Sequence, residues 1–88
     1  MKEKLIKLMS EQYGENLGHR IKKLKEEVEE LDAAYEEGSF YHLIDELADV
    51  CAVFTHIATI VDWEEDKLHY LAYDKIKTRL TNPNYKRL

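Results

Sequence analysis

The chain has 88 residues, a single cysteine, and 18 acidic against 13 basic side chains for a formal net charge of −5. That length admits one small domain, residues 1–88, with a modest core that gains from a partner subunit. The acidic balance, with no basic cluster to offset it, excludes binding to a nucleic-acid backbone, and one cysteine excludes an intrachain disulfide. Cys51, between Val50 and Ala52, reads as a buried thiol rather than a reactive one. Charges interrupt every apolar stretch near the N-terminus, which argues against a signal peptide. The longest apolar stretch, Val50 to Ile60, falls short of the roughly 20 residues needed to span a bilayer. A soluble, cytoplasmic protein with no membrane partner is expected.

Three glycines, one proline and few β-branched runs favour helices joined by short turns, so an all-α, four-helix bundle-like fold of antiparallel helices is expected. The first helix is predicted from about Lys2 to Gln12, with a thin stripe of Leu5, Leu8 and Met9, ending near Tyr13-Gly14. Leu17, Ile21, Leu24, Val28, Leu31 and Tyr35 recur at three and four residues and define a long second helix that stops at Gly38. Ser39 caps a third helix with Leu43, Leu47, Val50 and Phe54 on one side and apolar residues nearly all round its later turns. Asp62 and Glu65 read as a capping box for a fourth helix through Leu68, Leu71, Ala72, Ile76 and Leu80, with Trp63 just inside it. A chain this short can hardly cover Val53, Phe54, Ile57, Ile60 and Val61 on every side, so a homodimer or homotetramer is expected.

The chemistry is concentrated in two acidic pairs, Glu27 with Glu30 and Glu46 with Asp49, on the second and third helices. Residues three apart share a helix face, so two antiparallel helices can aim four carboxylates at one point. Oxygen ligands of this kind suit magnesium or manganese. A helical projection at 100° per residue places Glu27 beside the apolar stripe and sends Glu26 and Glu29 to the far side. On the third helix it aligns Asp49 with Val53 and Ile60, against the core. The plainer alternative for Glu26 to Glu30 is a solvated face paired with Lys22, Lys23 and Lys25. Glu46 and Asp49, opening a largely apolar helix, shift the balance toward a site. No histidine follows a glutamate by three residues, which removes the di-iron bundle pattern. His56 reads as a satisfied core or interface histidine, and Trp63 as a packing anchor.

Glu26-Glu27-x-x-Glu30, a spacer from residue 31 to 45, and Glu46-x-x-Asp49 resemble the signature of the MazG-type all-α nucleoside triphosphate pyrophosphohydrolase superfamily. The likeness covers roughly Arg20 to Ile57. It implies that Glu27, Glu30, Glu46 and Asp49 hold magnesium, with Glu26 a nearby acid contacting water of the metal's shell. It implies hydrolysis of a nucleoside triphosphate between its α- and β-phosphates, giving a monophosphate and pyrophosphate. Relatives of this type carry a lysine and an asparagine on the last helix for phosphates. Here Lys75 is followed by Thr78 and Arg79 with no matching asparagine, which leaves Lys75 and Arg79 as the substrate-binding candidates. Two alternatives stand beside this reading: a phosphoribosyl-ATP pyrophosphohydrolase, and a non-catalytic helical dimerisation or binding module.

Overall fold

The computed structural model describes residues 1–82 and 84. Four helices follow one another: α1 Lys2–Tyr13, α2 Leu17–Glu37, α3 Phe40–Ile60 and α4 Glu65–Thr81, with no strand among the described residues. The all-α expectation holds, and each end of the three first helices lies within a residue or so of where the sequence places it. None of the four is long and apolar enough to cross a membrane.

The α2–α3 pair is the body of the molecule, and its geometry begins at its turn. Gly38 ends α2 in the left-handed region at φ 78° and donates its N–H to the Tyr35 carbonyl at 3.0 Å. Ser39 then starts α3, its Oγ accepting the His42 amide at 3.3 Å. With Gly38 and Ser39 alone between them, the helices must run back antiparallel. Asn16 opens α2 in the same manner, accepting the His19 amide at 3.0 Å.

The inward face of α2 is Arg20, Leu24, Glu27, Leu31 and Ala34, spaced alternately by four and three residues. Arg20, Glu27 and Ala34 are buried, and Leu24 and Leu31 half-buried. Ala34 is fully enclosed beside the turn, where a small side chain lets the helices converge. Opposite it, α3 buries Val53 and His56, and α1 lies against α3 with Met9 inserted. Much of the predicted α2 stripe therefore points outward: Leu17, Ile21, Val28 and Tyr35 are exposed. Cys51 is exposed too, contrary to expectation, because it lies on the same outward stripe of α3 as Ile44, Leu47 and Phe54, which nothing in the single chain covers.

The start of α4 also departs from the sequence reading. No capping box forms: Asp62 takes a left-handed turn at φ 59°, Glu64 occupies the cap position without a side-chain bond, and Trp63 precedes the helix. Glu65 instead accepts a hydrogen bond from the Thr55 hydroxyl of α3. Beyond that tether α4 touches the other helices sparsely and buries no residue. The radius of gyration, 15.3 Å, exceeds the about 12 Å of a compact domain this long.

Gly38→Ala is expected to destabilise the chain by about 1 kcal/mol, since alanine is strained at this positive φ although space is open around it. Ser39→Ala should cost a similar ~1 kcal/mol through the lost cap. Urea denaturation followed by circular dichroism measures both.

Candidate metal centre

Where α2 and α3 face each other, Glu27, Glu46 and Asp49 each offer one carboxylate oxygen, all within 4.8 Å of one another. Glu27 arrives from the middle of the inward face of α2, and its side chain is only 7% exposed. Glu46 and Asp49 come from the second and third turns of α3, one helical turn apart and on the side facing Glu27. The antiparallel hairpin thus brings together three of the four acids that the spacing aims at one point.

Asp49 does not lie against the core as the helical projection suggests. It is exposed, at the mouth of the cluster, because α1 covers α3 further along, around Val53 and His56. Glu30 is exposed as well and lies outside the mutual trio, but close enough to feel both Glu27 and Glu46. Glu26 points to solvent and pairs with Lys23 at 3.5 Å.

The electrostatics show acids crowded together. Hydrogen bonding to Glu27, and then the Glu27 charge, hold the Glu30 carboxyl above its usual range, with Glu46 adding to the effect. Desolvation first, and then the charges of Glu27, Glu46 and Asp45, raise Asp49. Two cationic groups offset part of this. Lys23 Nζ lies 3.0 Å from Glu27 Oε1 and is itself raised by that bond. His42 Nε2 lies 3.3 Å from Glu46 Oε1. Its Nδ1 contacts Glu37, whose hydrogen bond and charge raise the imidazole's pKa.

What remains is unpaired. Glu27 Oε2 and Glu46 Oε2 are both buried with no hydrogen-bond partner. A buried carboxylate oxygen left without a donor costs more than a solvated one, and a cation held by Glu27 and Glu46 would offset that cost. The donors are all carboxylate oxygens, a set that fits a hard divalent ion such as magnesium or manganese.

A cavity of ≈ 350 Å³ adjoins the cluster. Leu5, Met9 and Tyr13 of α1 form one wall, Arg20, Lys23 and Glu27 of α2 a second, and Asp49, Ala52 and Val53 of α3 the third. Lys75 and Arg79 do not line it. They sit on α4, which the turn at Asp62 leads away from the α2–α3 pair. Trp63 and Tyr70 likewise line a separate hollow along α4 with Leu71.

Two residues near the site escaped the sequence reading. His42 is four residues before Glu46, a spacing that places the two on one face. Arg20 is seven residues before Glu27, on the inward face of the same helix, but a basic residue among lysines gives no hint of burial. No protein-family model, curated protein or solved structure matches this chain.

The raised pKa of Asp49 has a defined consequence for stability. The folded chain holds that proton more tightly than the unfolded chain, so the contribution to stability is full below the ordinary value of 3.8 and is lost as pH rises through the folded value. In chelator, Asp49→Asn is expected to melt above the wild type at neutral pH, and the difference should close below pH 3.8. Thermal melts across a pH series check this.

Proposed function

We propose that the chain is a magnesium-dependent nucleoside triphosphate pyrophosphohydrolase of MazG type, cleaving between the α- and β-phosphates to a nucleoside monophosphate and pyrophosphate. The observation that carries this reading is the pair of buried, partnerless oxygens on Glu27 and Glu46, two residues that each bring a carboxylate oxygen within 4.8 Å of one of Asp49, with Glu30 nearby. The order of these acids, Glu26-Glu27-x-x-Glu30 before Glu46-x-x-Asp49, supports the same assignment.

Glu27, Glu30, Glu46 and Asp49 would hold the metal. Magnesium in such a cage neutralises phosphate oxygens and makes a bound water more acidic. The protein's own part is positioning. Lys23 fixes the Glu27 carboxylate, and His42 fixes that of Glu46. Glu26, exposed beside the cluster, is the carboxylate available to a water at the rim as a proton acceptor. The apolar wall of Leu5, Met9, Ala52 and Val53 offers the adjoining cavity a dry surface for a base or sugar. No serine or cysteine lines that cavity, in keeping with direct attack by water rather than a covalent intermediate.

The same reading includes self-association. Ile21, Val28 and Tyr35 on α2 and Ile44, Leu47 and Phe54 on α3 form exposed apolar stripes. The chain exposes 7310 Å², against about 5,400 Å² for a compact monomer of its mass. A second copy packed on these stripes would turn the α2–α3 hairpin into a bundle of four helices. Lys75 and Arg79 would then reach substrate phosphates only if assembly brings an α4 over the cavity.

Pyrophosphate release from a panel of nucleoside triphosphates is expected to require magnesium and to fall by about 100-fold or more in Glu46→Ala and Asp49→Ala, beyond what loss of a supporting residue costs. The panel includes phosphoribosyl-ATP. No release from any member, with a melting temperature indifferent to magnesium, would replace the enzyme by a helical binding module. Sedimentation of the wild type should show a dimer or tetramer, and Val28→Lys with Leu47→Lys should convert it to monomer.

A further inference from the structure

Arg20 is 5% exposed, deep at the junction of α1, α2 and α3. Its Nε donates to His56 Nδ1 at 3.1 Å. That bond makes Nδ1 the acceptor, so the other ring nitrogen carries the proton and donates to Ser10 Oγ at 3.0 Å. Burial, and then the neighbouring Arg20 charge, push the His56 pKa down, which keeps the ring neutral and able to accept. The Tyr13 ring lies 5.0 Å from the guanidinium carbon. Three helices therefore converge to hold one guanidinium.

The charge so held has no counter-charge. No carboxylate lies within ion-pair distance of Arg20 among the described residues, although Glu15 exerts a weaker pull on His56. An arginine taken out of water is ordinarily paired, because desolvating it alone costs several kcal/mol. A neutral imidazole and an aromatic face offset part of that cost and leave the positive charge in place. Arg20 also lines the ≈ 350 Å³ cavity, two helical turns before Glu27 on the same α2 wall, with Asp49 on the α3 wall.

We propose that Arg20 is the anion-binding residue of this site, taking phosphate oxygens of a phosphoanhydride chain that lies in the cavity between it and the acid cluster. The assignment rests on the pyrophosphohydrolase reading for the identity of the ligand. Its own ground is the unpaired, immobilised guanidinium. With Nε committed to His56, the terminal nitrogens present the planar fork that suits phosphate oxygens. Lys23, half-exposed and engaged with Glu26 and Glu27, adds positive charge on the same wall. His56 and Ser10 act as positioning residues, since they fix the orientation of Arg20 from the side away from the ligand.

The test titrates inorganic pyrophosphate and an α,β-methylene nucleoside triphosphate, each with magnesium, into wild type, Arg20→Lys and Arg20→Gln by calorimetry. Magnesium alone is titrated into the same three proteins. Loss of a charged two-pronged contact should weaken both ligands at least ~10-fold in Arg20→Gln, with Arg20→Lys between it and the wild type and magnesium affinity unchanged in all three. Weakening of the nucleotide but not of pyrophosphate would place Arg20 on the nucleoside side and overturn the assignment, as would unchanged affinity for both. Should the variants fail to fold, the Arg20 Nε–H resonance of the wild type decides: a shift on adding pyrophosphate supports the contact, and an unmoved signal overturns it. A wild type that binds no magnesium would count against the metal-site reading, while the pyrophosphate titration and the Arg20 resonance still judge Arg20 separately.

Discussion

A carboxylate buried between two antiparallel helices is the constraint on which the site depends. Glu27 occupies a position in the inward face of α2 that packing alone would give to leucine, between Leu24 and Leu31. One of its oxygens is satisfied by Lys23 one turn earlier, and the other by nothing. Glu46 answers it from α3 with the same half-satisfied arrangement, one oxygen near His42 and one without a donor. Such an arrangement lowers the stability of the fold, and a cation bound there, as proposed, would restore it.

The cost is tolerable because the hairpin around it is locally well specified. Asn16, Gly38 and Ser39 fix both ends of α2 and the start of α3 through bonds between near neighbours. The register that brings Glu27 opposite Glu46 and Asp49 is thus set by the turn rather than by the acids themselves. Ala34 is fully enclosed near that turn, and toward the far end α1 enters with Met9 beside the cavity.

These local features were the legible ones. Helix existence, the glycine stop, the serine cap and the convergence of Glu27, Glu46 and Asp49 all follow from spacing within about one turn. Features set by distant contacts were not legible. The α2 stripe is apolar on Leu17, Ile21, Val28 and Tyr35, yet the face turned inward also carries Arg20 and Glu27, because α3 and α1 choose the side on which they pack. A helical projection ranks faces by hydrophobicity and has no means of knowing that a functional face is polar. Asp49 and Cys51 came out exposed for the related reason that a position aligned with apolar neighbours is buried only if something lies over it. At Asp62 and Glu65 the pattern of a capping box was present, but a left-handed turn and the pull of Thr55 on Glu65 placed the helix start elsewhere.

Under the proposed function, the division of charge along the cavity would let a protein with a net charge of −5 address an anion. Glu27, Glu46 and Asp49 are gathered where α2 and α3 face each other, where a bound divalent cation would turn repulsion into attraction. The other end carries the Arg20 guanidinium, set in place by His56 and, through it, by Ser10 of α1. A chain of phosphates lying between these ends would meet positive charge at both, while α1 would offer apolar surface for whatever the phosphates carry. Under the proposed function the two ends would differ in one physical respect: the acid end would bind anions only through a metal, whereas the Arg20 end would do so through a charge built into the fold. That difference would orient an otherwise symmetric phosphate chain, because the two ends are not interchangeable.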